Sequence, residues 1–156
     1  MPTKCEEIDD ARWDEQFGIA LDAAYYLAQA AFAPLRAGGR GRFVIMSSAQ
    51  ALHGGAMNPV YAAVKSAQRG MAKALAREWG PHGITVNWVA AAPRALSPLF
   101  EGLPLPLKPD PVMVALGQGP ALDEGIAGVI DFLGSAAGMA MTGATVMVDG
   151  GEWMVP

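Results

Sequence analysis

Residues 47–65 read S-S-A-Q-A-L-H-G-G-A-M-N-P-V-Y-A-A-V-K, and the rest of the chain is best understood outward from them. Just upstream, Phe43-Val44-Ile45-Met46 is an apolar run bounded by Gly41, the pattern of a short buried strand. At the other end the periodicity turns helical, and Tyr61 and Lys65 stand four residues apart. They share one helix face, so their heads can converge. Ser48 precedes Tyr61 by thirteen residues and falls at the end of the expected strand. A hydroxyl, a phenol and an ammonium are therefore expected at one mouth.

Such a trio is suited to proton transfer at an oxygen. A free phenol has a pKa of about 10, too high for an efficient acid or base near neutrality. An ammonium beside it favours the phenolate and is expected to pull the pKa of Tyr61 down. The Ser48 hydroxyl can donate a hydrogen bond to a carbonyl oxygen as negative charge develops there. Spacing alone does not establish the site, because Tyr and Lys at that interval also describe an amphipathic boundary pair.

The neighbouring motifs decide between these readings. Ser48, the step to Tyr61, the run Y-A-A-V-K-S-A and the later E-W-G-P-H-G-I-T-V-N resemble the short-chain dehydrogenase/reductases. Upstream, R-W-D-E-Q-F-G-I-A-L is similar to the start of that family's active-site helix. Downstream, T-G-A-T-V-M-V-D-G-G is similar to its last strand. The resemblance runs from about Trp13 to Gly151, in family order. It implies an NAD(P)-dependent oxidoreductase in which Tyr61 exchanges a proton with the substrate oxygen and Ser48 polarises that oxygen. In the same reading Lys65 lowers the tyrosine pKa and contacts the nicotinamide ribose. Tyr61, Lys65 and Ser97 are the implied cofactor contacts.

Composition narrows the alternatives. Of 156 residues, 52% are hydrophobic and 17% charged, which describes an apolar globule of one domain and not a disordered chain. Eleven basic against fifteen acidic residues give a net charge of −4, and the basic positions are scattered. Nucleic acid is not an expected partner. The single cysteine, Cys5, cannot form an internal disulfide, and His53 and His82 are isolated, so no metal site is expected. His53 reads as a solvated loop residue beside the site. The acidic start lacks the apolar core of a secretory signal, and the apolar segments are interrupted by Asp22, Gln29 and Asp131. The expected compartment is the cytoplasm, with no membrane association.

The coarse elements follow from periodicity. A helix is expected from about Asp10 to Arg36, with Trp13, Phe17, Ala20, Ala24, Leu27, Ala31 and Leu35 on one stripe. Asp9 or Asp10 caps its start and Gly38-Gly39 stops it. Its Ala-rich opposite edge, with Tyr25 and Tyr26, suggests a second packed surface. Then come a strand over 42–47, a loop over 49–58, a helix from Asn58 or Pro59 to Trp79, a turn at 80–83 and a strand from Ile84 to Ala90. The Pro- and Leu-rich stretch 91–110 reads as irregular. Short helices near 111–116 and 122–135 and a final strand Thr145–Val148 complete the pattern. Alternating strands and helices imply parallel pairing. The expected fold class is α/β, a truncated Rossmann-like three-layer α/β/α unit with about three parallel strands, forming one partial domain over 1–156.

A strand–Gly-rich turn–helix unit for a dinucleotide pyrophosphate is not found in this sequence. Gly38-Gly39-Arg40-Gly41, Gly54-Gly55 and Gly150-Gly151 each lie in the wrong context for G-x-G-x-x-G. Set against the family, the chain corresponds to the C-terminal catalytic half. The family usually carries an asparagine, held to position a water beside the lysine, where this chain has Ala20. It usually has Pro-Gly where this chain reads Ala91-Ala92-Pro93-Arg94. Three readings stand at this point. One is an oxidoreductase acting on a small carbonyl or alcohol substrate, with its NAD or NADP cradle supplied by a missing or separate half. Another is a catalytically degenerate relative that serves as a structural or regulatory partner. The third keeps the trio for cofactor-free acid/base chemistry. The expected open edge of strand 42–47 argues for association, as a homo-oligomer or with a fuller subunit.

Overall fold

The computed structural model describes residues 3–91, 115–116 and 122–154. Helix α1 (Asp10–Gln16) begins at Asp9, whose carboxylate accepts from the Arg12 amide at 2.8 Å. The helical path continues through a π-helical segment, Phe17–Asp22, into α2 (Ala23–Ala37). Strand β1 (Arg42–Ser48) follows, then a short helix α3 (Gln50–His53) and the long helix α4 (Pro59–Trp79). A 3₁₀ turn, Gly80–His82, leads to β2 (Thr85–Ala91). A second π-helical segment, Leu122–Ala127, runs into α5 (Gly128–Gly134), and β3 (Thr145–Val148) closes the described fold.

The strands form one parallel sheet in the order β1-β2-β3. β2 is the middle strand, and all seven of its residues are buried. Its alternate side chains feed two cores. On one face Val86, Trp88 and Ala90 pack with Phe43, Ile45, Ala72, Ala76 and Trp79, backed by Phe32 and Leu35 of α2. On the other, Val89 and Ala91 pack with Ile126, Leu133 and Val148. Helices cover both faces, which makes the unit three-layered and agrees with the α/β expectation. Cover on the α5 side thins toward β1, where Met46 is 38% exposed.

Two expectations need correction. The long N-terminal helix is not a single α-helix, and its buried stripe does not include Leu27, which is 61% exposed, whereas its neighbour Ala28 is buried. The expected loop 49–58 contains α3, anchored where the Ser66 hydroxyl donates to the Ala51 carbonyl at 2.9 Å. The helix expected near 111–116 lies mostly outside the described residues. Among the described residues no helix is long and apolar enough to cross a membrane.

The turn into β2 depends on Gly83. Its φ of +73° is left-handed, and a Cβ there would stand 2.9 Å from the Gly39 carbonyl oxygen. Both effects penalise any side chain. Gly83→Ala is expected to lower unfolding free energy by about 2 kcal/mol. A urea denaturation midpoint unchanged from the parent would contradict this.

Candidate active site

Ser48 ends β1 opposite Ala91 of β2, and the Ala49 amide extends the ladder by donating to the Ala91 carbonyl at 3.2 Å. It therefore stands at the C-terminal edge of the parallel sheet, the edge where open α/β sheets receive ligands. It is 3% exposed. α4 starts beside it at Pro59, whose fixed φ and missing N–H suit a first helical position. Tyr61 falls in the first turn of α4 and Lys65 in the second, and both are half-buried.

The Ser48 and Tyr61 hydroxyls are hydrogen-bonded to each other. The Lys65 Nζ lies over the Tyr61 ring, 5.7 Å from its centroid. The structure thus gathers the three residues that the sequence singles out. Ser97 lies outside the described residues. No group of three or more His, Cys, Asp or Glu among the described residues could hold a metal ion.

The electrostatics depart from expectation. Burial pushes the Tyr61 phenol above its ordinary value of 10.0, and the Ser48 hydrogen bond opposes that rise. Burial also pushes the Lys65 ammonium below its ordinary value. Desolvation disfavours charge on both groups, so the lysine does not produce the lowered tyrosine pKa that its proximity suggested. In this arrangement Tyr61 is a neutral phenol at neutral pH.

Four further residues make contacts on α4, α3 and the segment after β3. Gln68, at the i+7 position from Tyr61, is buried, and its Nε2 donates to the Ala20 carbonyl at 2.9 Å. Only its polarity within the apolar ridge Val60, Val64, Ala72 and Ala76 could have flagged it. His53 of α3 stacks on Trp153, with ring centroids 3.8 Å apart and planes within 12°. The reading of His53 as a solvated loop residue is right about its exposure but missed this stack. The buried Asp149 carboxylate holds Trp153 in place by accepting from the amides of Gly151 at 3.0 Å and Trp153 at 2.9 Å.

Comparison with known proteins places this geometry in context. The family model described as enoyl-(acyl carrier protein) reductase matches residues 1–152. A short-chain type dehydrogenase/reductase of Sinorhizobium fredii, itself uncharacterised, is 33% identical over 97% of this chain and 60% of its own length. A solved oxidoreductase of the short-chain dehydrogenase/reductase family from Burkholderia thailandensis superposes with a TM-score of 0.81 at 28% identity, over 97% of this chain and 60% of the other. A structure from Beutenbergia cavernae, described as an NAD(P)-dependent gluconate 5-dehydrogenase with NADP bound at low occupancy, gives 0.80 at 30% identity. It covers 97% of this chain and 61% of that one. The chain belongs to the short-chain dehydrogenase/reductase family, and it spans about 60% of the length of the curated relatives it matches.

The folded chain holds the Tyr61 proton more tightly than the unfolded chain does. The stability linked to it is fully present below pH 10 and is lost as pH rises through the folded value. In an ultraviolet absorbance titration, the tyrosinate component that disappears in Tyr61→Phe should therefore ionise above pH 10. A component ionising below pH 10 would contradict the burial effect.

Proposed function

We propose that this chain carries the proton-handling half of a nicotinamide-dependent oxidoreductase that interconverts a carbonyl and a secondary alcohol. The supporting observation is the Ser48–Tyr61 hydrogen bond at the C-terminal edge of the sheet, with Lys65 one turn further along α4. In the reducing direction, the buried neutral phenol of Tyr61 donates its proton to the substrate oxygen. Ser48 turns its hydroxyl from the phenol to that oxygen and stabilises the charge developing on it. In the oxidising direction Tyr61 takes the proton back.

The donor set fits the ribose end of NAD or NADP. Lys65 presents a half-buried ammonium with three N–H donors, and Tyr61 adds a phenol. A bound nicotinamide supplies or accepts the hydride. Ser97 is the further contact proposed from the family pattern. The pyrophosphate cradle is proposed to come from polypeptide other than residues 1–156, either within a longer chain or on another subunit. The likeness to a gluconate 5-dehydrogenase supports a small carbonyl or alcohol as substrate.

The chain is also proposed to associate, with itself or with a fuller subunit. Tyr25, Tyr26 and Leu27 form an apolar stretch on α2, the last two 64% and 61% exposed. β1 has a sheet neighbour on one side only among the described residues. Exposed apolar surface together with an open strand edge favours pairing with another chain.

Two measurements test these readings. In the assembly that includes the cradle-bearing polypeptide, titration with NADH and NADPH, followed through tryptophan emission, is expected to saturate for one of them. With that cofactor and a panel of ketones, Tyr61→Phe should lower kcat/KM by about a hundredfold or more. An unaltered rate would discard the mechanism. Separately, Leu27→Glu should reduce the mass in solution measured by light scattering, and a parent chain that is already monomeric would refute the association.

A further inference from the structure

Among the described residues, one buried polar atom without a partner belongs to the helix that carries Tyr61 and Lys65. Gln68 is 4% exposed, and its Oε1 is buried with no hydrogen-bond partner. Its other end is engaged, since Nε2 donates to the Ala20 carbonyl. The two ends cannot be exchanged. A carbonyl only accepts, so the amide nitrogen must face Ala20 and the oxygen must face away from it.

Ala20 lies inside the π-helical segment Phe17–Asp22. The Ala23 amide already donates to the Ala20 carbonyl, and the disturbed ladder of the π turn leaves that oxygen's second lone pair open to an outside donor. Gln68 takes that carbonyl and thereby ties the segment to α4. The same bond leaves an amide acceptor buried without a donor, a costly arrangement that a nearby cation would relieve.

Lys65 is three residues before Gln68 and Tyr61 is seven before it, so all three share one face of α4. Lys65 has three N–H donors, and its ammonium is half-buried over the Tyr61 ring. The ionisable groups on the elements packed against α4 offer it little. Asp10, Asp14, Glu15, Asp22 and His53 are exposed, Arg12 carries the same charge, half-buried His82 lies past the C-terminal end of α4, and Arg42 is at the far end of β1.

We propose that Gln68 is a positioning residue for Lys65: its Oε1 accepts from the lysine ammonium, directly or through one water, while its Nε2 anchors the π-helical segment at Ala20. The proposal rests on reading Lys65 as part of an oxidoreductase site. Its role is to hold the ammonium along α4, in register with Tyr61, and to support the charged form against burial. The amide can do this without contributing a competing charge.

The test is a lysine titration. The protein has four lysines, Lys4, Lys65, Lys73 and Lys108, so the ¹³Cε signals of a ¹³C-lysine-labelled sample are few, and Lys65→Arg identifies the relevant one. Gln68→Met preserves length and removes both polar ends. It should lower the Lys65 pKa by about half a unit or more, and Gln68→Glu should raise it. A purely structural role would lower Tm and leave the Lys65 titration unmoved. An unmoved titration in both folded variants overturns the proposal. If Gln68→Met does not fold, Gln68→Glu decides alone, and no rise in the Lys65 pKa refutes the contact. The readout does not depend on turnover. Failure of the oxidoreductase reading in the cofactor and ketone assays would leave a shifted Lys65, and with it the positioning role, standing.

Discussion

Burial of β2 on both faces is the constraint from which the rest of the architecture follows. All seven residues from Thr85 to Ala91 are inside, so every backbone group of the strand needs a partner on one side or the other. β1 supplies one side and β3 the other. Parallel neighbours cannot be joined by a tight hairpin, so the chain must leave β1, cross the face and return. α4 is that crossing. Its first turn necessarily lies at the C-terminal edge of β1, which is why Ser48 and Tyr61 meet although a loop and a short helix separate them in sequence.

What could be read from the sequence follows the same logic. α4 was legible to within a residue at its start, because Pro59 marks the first turn and the apolar ridge repeats regularly to Trp79. β2 and β3 were legible as short apolar runs between glycine turns, and Ser48, Tyr61 and Lys65 as a spacing within known motifs. The π-helical segment was not. A one-residue change in hydrogen-bond pairing leaves composition and approximate periodicity intact, and the stripe likewise did not show that Ala28, rather than Leu27, faces inward. Contacts made across the fold were equally silent. Nothing local to His53 announces Trp153, and nothing local to Gln68 announces the Ala20 carbonyl.

The electrostatic reading failed for a related reason. Distance along a helix indicates that an ammonium and a phenol are near one another, but it does not say how much water each retains. In the folded chain both are half-buried, and loss of solvent outweighs their mutual influence. The polar support that the structure shows for Tyr61 comes instead from an uncharged group, the hydroxyl of Ser48.

The stack of His53 on Trp153 bears on the order in which the protein matures. It joins the helix just after β1 to the segment just after β3, and contacts between residues so distant in sequence are entropically expensive to close. Synthesis proceeds from the N-terminus, and the strand, the serine and the tyrosine all emerge from the ribosome long before the indole does. Until that indole arrives, held by the buried carboxylate of Asp149, α3 is held only by the Ser66 hydrogen bond and the packing of Ala51 and Leu52 on the core. The contact that covers α3 is thus made only after Ser48 and Tyr61 have emerged, by a residue far from both in sequence.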